Sequence, residues 1–162
     1  GEAELVHGEI EFMSPTGTDP GFAGDAIFAS LYAYWQMTKR GVPVGDNKGF
    51  IVDLPNRRSF SPDAAYFMGR GGGMKFFNGA PIFAVEVRSE GDYGAKAERD
   101  MAAKRLDYFA AGTLVVWDVD IQSEEVVRVY RKSDPENPTV YRRGELALLK
   151  GIDGNRQGLA RR

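Results

Sequence analysis

The sequence predicts a mixed α/β domain, a central mixed β-sheet flanked by two main helices with a β-ribbon at its N-terminal end. Three observations lead there. Residues 22–39 and 95–111 space their apolar side chains three and four apart, as helices do. Short apolar runs bounded by turn formers, at 49–54, 61–68, 82–87 and 113–119, read as strands. The resulting order is strand pair, helix, three strands, helix, strand, strand, and 162 residues suit a single domain spanning 1–162.

Residues 1–17 open as a ribbon, because the apolar residues on either side of Gly8 make two short strands or one bent strand, and the Ser14-Pro15-Thr16-Gly17 turn ends it. The first helix follows, with Phe22, Ala26, Ala29 and Ala33 on one line and Ile27, Leu31, Tyr34 and Trp35 on the next. Asp19 is its expected cap, Pro20 its first residue, and Gly41 lies just past its end. A strand at 49–54 is closed by Pro55-Asn56-Arg57-Arg58, and another runs from Ser61 to Met68. Gly69-Arg70-Gly71-Gly72-Gly73 fits no phosphate-loop pattern and reads as a flexible loop lasting to Pro81. Residues 82–87 are the most apolar run and so the expected sheet centre. The alanine-rich second helix ends at Gly112. Strands at 113–119 and 125–131 complete the sheet, an edge strand at 139–142 follows Pro135 and Pro138, and 151–162 reads as a frayed tail.

Composition limits the chemistry. There is no cysteine, which excludes disulfides, thiolate catalysis and cysteine-bound metals, and the single histidine, His7, cannot build a multi-histidine site. With 21 Lys plus Arg against 23 Asp plus Glu, no global field draws in nucleic acid. No apolar run approaches the roughly 20 residues of a membrane span, so the expectation is a cytoplasmic protein without a membrane partner.

Within this frame Glu86 interrupts a buried strand, sharing a face with Ile82, Ala84 and Arg88 while Phe83, Val85 and Val87 face the other way. A buried carboxylate needs a metal or a partner such as Arg88 or Arg105. Asp63, following the break at Pro62, is expected beside Ala65 and Phe67, and it fits equally a turn residue. If the two strand ends meet, Asp63 and Glu86 converge on one hard cation, Mg2+ or Mn2+, with the Val87 carbonyl as a further ligand. Lys104 lies mid-helix, within reach of the carboxylates or simply solvated. Arg57, Arg58, Arg70 and Lys75 flank Asp63 as candidate phosphate contacts. Trp35, Phe83, Tyr108 and Trp117 sit in the most regular segments and read as core.

The ordered combination of Glu4 to Gly17 (Glu-Leu-Val-x-Gly-Glu-Ile-x-x-Met-Ser-Pro-Thr-Gly), Ser61 to Tyr66 (Ser-Pro-Asp-Ala-Ala-Tyr), Phe77 to Ser89 and Lys104 to Asp120 resembles the bacterial "putative restriction endonuclease" family of the PD-(D/E)XK nuclease superfamily. The resemblance implies a restriction-endonuclease-like core and a magnesium-dependent phosphodiesterase site. By position, Asp63 matches the Asp of the Pro-Asp motif and Glu86 the acid of the next strand. The superfamily lysine two residues beyond Glu86 is Arg88 here, and Lys104 matches the lysine that this family carries on the helix instead. Glu9 or Glu11 is a possible accessory acid from the ribbon.

The first functional expectation is thus a DNA endonuclease that acts as a homodimer, since a double-strand cut needs two sites. The alternative is an inactive nucleic-acid-binding or protein-interaction module of the same fold, and a third is a hydrolase of small nucleotides.

Overall fold

The computed structural model describes residues 2–13, 17–149 and 157–161. Strands β1 (Glu2–Val6) and β2 (Glu9–Met13) pair antiparallel. His7 and Gly8 join them with φ of 50° and 77°, the two left-handed residues that a tight hairpin of matching twist requires.

Helix α1 (Thr18–Thr38) begins two residues earlier than the expected start at Pro20. Gly17 is its N-cap without a side-chain bond, so Asp19 sits inside the first turn, where its charge meets the positive end of the helix. The helix ends on Lys39, left-handed at φ 55°, whose N–H donates to the Trp35 carbonyl. Gly41 has another reason to be glycine. Its φ is 72°, and a Cβ there would lie 2.6 Å from the Tyr66 ring.

The elements that follow are β3 (Val42–Val44), β4 (Phe50–Ile51), β5 (Ser59–Phe60), β6 (Ala64–Phe67), β7 (Phe77–Asn78), β8 (Phe83–Val87), α2 (Ala95–Ala111), β9 (Val115–Val119), β10 (Val127–Arg131), β11 (Asp134–Tyr141), β12 (Leu146–Leu149) and β13 (Gln157–Arg161). Six of them form the main sheet in the order β11-β10-β9-β8-β6-β3. It is mixed, because β8 and β9 are parallel and joined through α2, while the other neighbours are antiparallel. As expected, β8 is central, paired on both edges.

Several strand expectations change. The run at 49–54 forms only β4, which joins β5 and β7 in a separate three-stranded sheet. The single strand expected from Ser61 to Met68 is divided by Ser61-Pro62-Asp63: β5 ends before it in the small sheet and β6 begins after it in the large one. Proline has no N–H for a ladder, and Asp63 is left at the break. β3 and β7 are too short for periodicity to reveal. β11 includes Pro135 and Pro138, where only 139–142 was expected; as an edge strand it tolerates both. Of the expected frayed tail, 151–156 and 162 lie outside the described residues, and 157–161 pair with β12.

Alternation along the sheet gives it two apolar faces. Phe83, Val85, Val87 and Trp117 pack with Ala23, Ile27, Leu31 and Tyr34 of α1, and Ala65, Ala84 and Val116 pack with Tyr108 and Phe109 of α2. Ile82 precedes β8 and packs with the α1 cluster, not with Ala84 as expected. Phe60 of the small sheet stacks on Tyr108, centroids 4.0 Å apart, and so closes the α2 side. No described helix is long and apolar enough to cross a membrane.

Trp117 is wholly buried and meets Phe83 edge-on at 5.3 Å. Trp117→Ala is expected to cost about 3–5 kcal/mol, seen as a lower urea midpoint with an unchanged slope.

Candidate active site

The site forms where the Pro62 break meets the end of β8. Asp63 N–H donates to the Val85 carbonyl at 3.0 Å, and Val87 N–H donates to Asp63 Oδ2 at 2.6 Å. Asp63 is thereby fixed by the backbone of the strand that carries Glu86. Glu86 points to the α2 side. There Lys104 and Tyr108, four residues apart and so on one face of the helix, converge on its Oε1 at 2.7 Å and 2.8 Å.

A fourth group arrives from the ribbon. Glu4 is buried at 4% exposure, and its Oε1 accepts from Lys104 at 2.9 Å and from the Ser61 N–H at 2.9 Å. Its Oε2 accepts from Arg57 at 2.8 Å, and Arg57 Nε donates in turn to Asp107 at 3.0 Å. The ribbon is anchored for this purpose: Arg58 N–H donates to the Leu5 carbonyl, His7 N–H to that of Asn56, and Leu5 N–H to Ser59 Oγ.

These contacts set the charges. Burial, then the nearby charge of Glu86, pushes the Asp63 carboxyl up to about 8, against the pull of the Val87 N–H and Lys104. Burial also raises Glu86, with Glu4 adding to the shift and Lys104 opposing it. Glu4 moves the other way, since Lys104 and Arg57 outweigh its desolvation. Lys104 is raised although burial works against it, because two carboxylates surround it. It is therefore a fixed cation and no general base.

The structure brings Asp63, Glu86 and Lys104 together, and it separates them from others. Glu9 and Glu11 are exposed on the ribbon; the acid that the ribbon delivers is Glu4. Arg57 was expected on phosphate, but it is 6% exposed and committed to Glu4 and Asp107. Arg58 is exposed and paired with Asp53, while Arg70 and Lys75 are exposed on the glycine-rich loop. Arg88 is buried, forked onto Asp118 at 2.9 Å and 2.8 Å and paired with Glu98, so it does not point into the site. Arg105 also goes to Asp118, at 3.6 Å, so neither arginine is the partner of Glu86.

Sequence reasoning missed Glu4 and the polar end of Tyr108. The core reading of Tyr108 holds for its ring, which is fully buried, while the hydroxyl serves Glu86. The available signals were the alternation that puts Glu4 on the face of Val6, and the four-residue spacing of Lys104 and Tyr108.

Among the described residues no group of three or more His, Cys, Asp or Glu side chains is arranged to hold a metal ion. The donor set that could do so is smaller: Asp63, Glu86 and the Val87 carbonyl. The hydrogen bonds above fall on one oxygen of each carboxylate, Asp63 Oδ2 and Glu86 Oε1, which leaves Oδ1 and Oε2 for a cation. Glu86 keeps 23% side-chain exposure, so this side is open to solvent. Two carboxylates and a carbonyl fit a hard ion that retains waters, such as Mg2+ or Mn2+.

A family model described as "Uma2: Putative restriction endonuclease" matches residues 1–156. No curated protein matches the chain. Among solved structures it is similar to "a putative nuclease belonging to DUF820" from Anabaena variabilis, at 19% identity and a TM-score of 0.68, over 93% of this chain and 82% of that one. At that identity the likeness concerns the fold.

Asp63 carries a testable cost. Folded, it holds its proton to about pH 8, whereas the unfolded carboxyl loses it near the ordinary value of about 3.9. Between these values the unfolded state binds fewer protons, so metal-free stability falls as pH rises through the window. Asp63→Asn keeps an acceptor for Val87 and removes this loss. It is expected to melt higher than the parent at pH 8 in EDTA, with the gap closing toward pH 4; a gap independent of pH would refute the assignment.

Proposed function

Because the chain belongs to the Uma2 family, we propose that it is a metal-dependent endonuclease that hydrolyses phosphodiester bonds of DNA. The observation that carries this is the convergence of Asp63, Glu86 and the buried Lys104 at one open sheet end, with one oxygen of each carboxylate left untied.

In this reading Asp63 and Glu86, with the Val87 carbonyl, would hold Mg2+ or Mn2+, which would supply Lewis acidity to the phosphoryl group. The chain's own residues do the rest. Val87 N–H fixes the rotation of the Asp63 carboxylate, and the Tyr108 hydroxyl fixes that of Glu86. Lys104 spends two of its three N–H donors on Glu86 and Glu4. The third is directed to the attacking water or to the phosphoryl oxygen on which charge develops. Glu4 is a positioning residue that acts through Lys104. Water attacks phosphorus as the opposite ester P–O bond breaks; the water's proton passes to solvent, and the departing sugar oxygen takes up a proton from solvent to leave as the hydroxyl. A cut through both strands needs two such sites, which a homodimer of this chain would provide.

Purified protein incubated with plasmid and single-stranded DNA should cut with Mn2+ or Mg2+ and not in EDTA. Asp63→Asn and Glu86→Gln should each lower cutting by about a hundredfold or more, and Lys104→Met likewise. Glu4→Gln should reduce the maximal rate more than it changes the half-saturating DNA concentration. Added Mn2+ should raise the melting temperature of the parent but not of Asp63→Asn. A folded protein that cuts nothing yet binds DNA equally in EDTA and Mn2+ would favour the non-catalytic module, and cutting confined to mononucleotides would favour a nucleotide hydrolase.

A further inference from the structure

The loop between β6 and β7 keeps large side chains in water. Residues 68–77 read Met-Gly-Arg-Gly-Gly-Gly-Met-Lys-Phe-Phe, with two basic residues and no acidic one, in a chain of net charge −2. Met74 is fully exposed and Phe76 is 61% exposed.

Phe76 is nevertheless held in place. A turn in which Lys75 N–H donates to the Gly72 carbonyl at 3.0 Å precedes it, and Phe77 N–H donates to the Gly49 carbonyl at 3.0 Å just after it. Its ring lies against Gly49 so closely that a Cβ there would come within 3.1 Å. Phe77 beside it stacks on Phe50 at 4.8 Å and anchors the segment. A ring fixed from beneath and open above is poised for a planar partner.

The segment against which the ring rests is linked to the site. Gly49 follows Lys48, whose carbonyl accepts from Ser61 Oγ at 3.2 Å, and the Ser61 N–H holds the Glu4 carboxylate that pairs with Lys104. Asp46, in the same turn, contributes to the electrostatic environment of Asp63. Lys48 is itself exposed beside this path.

We propose that Phe76, flanked by Lys48, Arg70 and Lys75, is a stacking platform for an unpaired base of the DNA strand whose phosphate enters the Asp63–Glu86 site. The proposal rests on the nuclease reading and extends it to a substrate class, single-stranded or locally unpaired DNA. An aromatic face accepts any base, but only one that has left the duplex stack, and the basic side chains meet the flanking phosphates. The charge of the loop selects nucleic acid over an apolar partner surface.

The test is binding without cleavage. Labelled strands of about 12 nucleotides, within the usual range of single-strand sites, and the matching duplex are titrated in EDTA and followed by fluorescence anisotropy. The parent should prefer the single strand. Phe76→Ala should weaken that binding about tenfold while leaving the duplex unchanged. Phe76→Trp should restore it, with indole emission quenched as the strand is added. Arg70→Ala with Lys75→Ala should weaken both forms and flatten the salt dependence. Unchanged single-strand affinity in Phe76→Ala, no rescue by Phe76→Trp, or no DNA binding by the parent would overturn the proposal. So would a change of oligomeric state in Phe76→Ala with DNA affinity intact, which would assign the ring to a second copy of the chain. Cutting plays no part in these measurements, so the two failures show separately: failure of the stacking platform as lost single-strand preference, and failure of the nuclease reading as absent cleavage by protein that still binds the strand.

Discussion

The buried ammonium of Lys104 is the interaction on which the rest of this architecture depends. It joins the ribbon to the main sheet, through Glu4 on one side and Glu86 on the other. Removing it would leave two desolvated carboxylates facing each other, an arrangement that costs several kcal/mol per ion in a protein interior. The surrounding balance is instructive. The groups linked here are four carboxylates, Glu4, Asp63, Glu86 and Asp107, against two cations, Lys104 and Arg57. Fully ionised, the cluster carries a net charge of −2, taken as 2 − 4. Burial, and after it the charge of Glu86, pushes the Asp63 carboxyl up to about 8, and the proton it keeps reduces that excess. A bound dication would answer it better.

A second charged cluster explains why Lys104 is aimed as it is. Arg88 forks onto Asp118 of β9 and pairs with Glu98 in the first turn of α2, while Arg105 of the same helix also reaches Asp118 and lies 3.9 Å over the Tyr130 ring. The planar guanidinium suits this bridging task, where an ammonium would act as a single point charge. Tying β8, β9 and α2 together fixes the rotation of the helix, and that rotation presents Lys104 and Tyr108 to Glu86. Arg88, two residues beyond Glu86, thus belongs to the scaffold, and α2 supplies the cation that pairs with Glu86, Lys104. The buried Asp118, which lies opposite Glu86 in the parallel register, is consumed by this clamp and is no metal ligand.

How much of this was legible in the sequence follows from the range of each interaction. Glu86 stood out because an acid inside an apolar run needs a metal or a charged partner, and Asp63 because Pro62 breaks the ladder beside it. Both helices and the central strand follow from local periodicity. Glu4 and Arg57 did not, because their pairing spans 53 residues and no local pattern encodes it. Arg57 looked like a surface arginine after a turn, yet the return of the ribbon buries it. β4, β5 and β7 have two residues each, fewer than any period can show. The two prolines hid the start of β11 because proline argues against a strand except at an edge, and the edge position is a property of the assembled sheet.

The same long-range assembly decides how a chain with no attractive global charge could engage a polyanion. Its net charge of −2 offers no steering field, and the carboxylates of the site repel phosphate until a cation is held between them. Attraction must then be local, and the fold supplies it on one side. The glycine-rich loop brings Arg70 and Lys75 into solvent without an acidic neighbour in the segment, and the small sheet pins that loop against the turn bearing Lys48. The three-stranded sheet, formed from the shortest described strands, buries Phe50 and Phe60 in the core on the α2 side. Its two-residue strands connect the aromatic and basic rim to Ser61 and Glu4, and so hold that rim in register with the carboxylates at the end of β8.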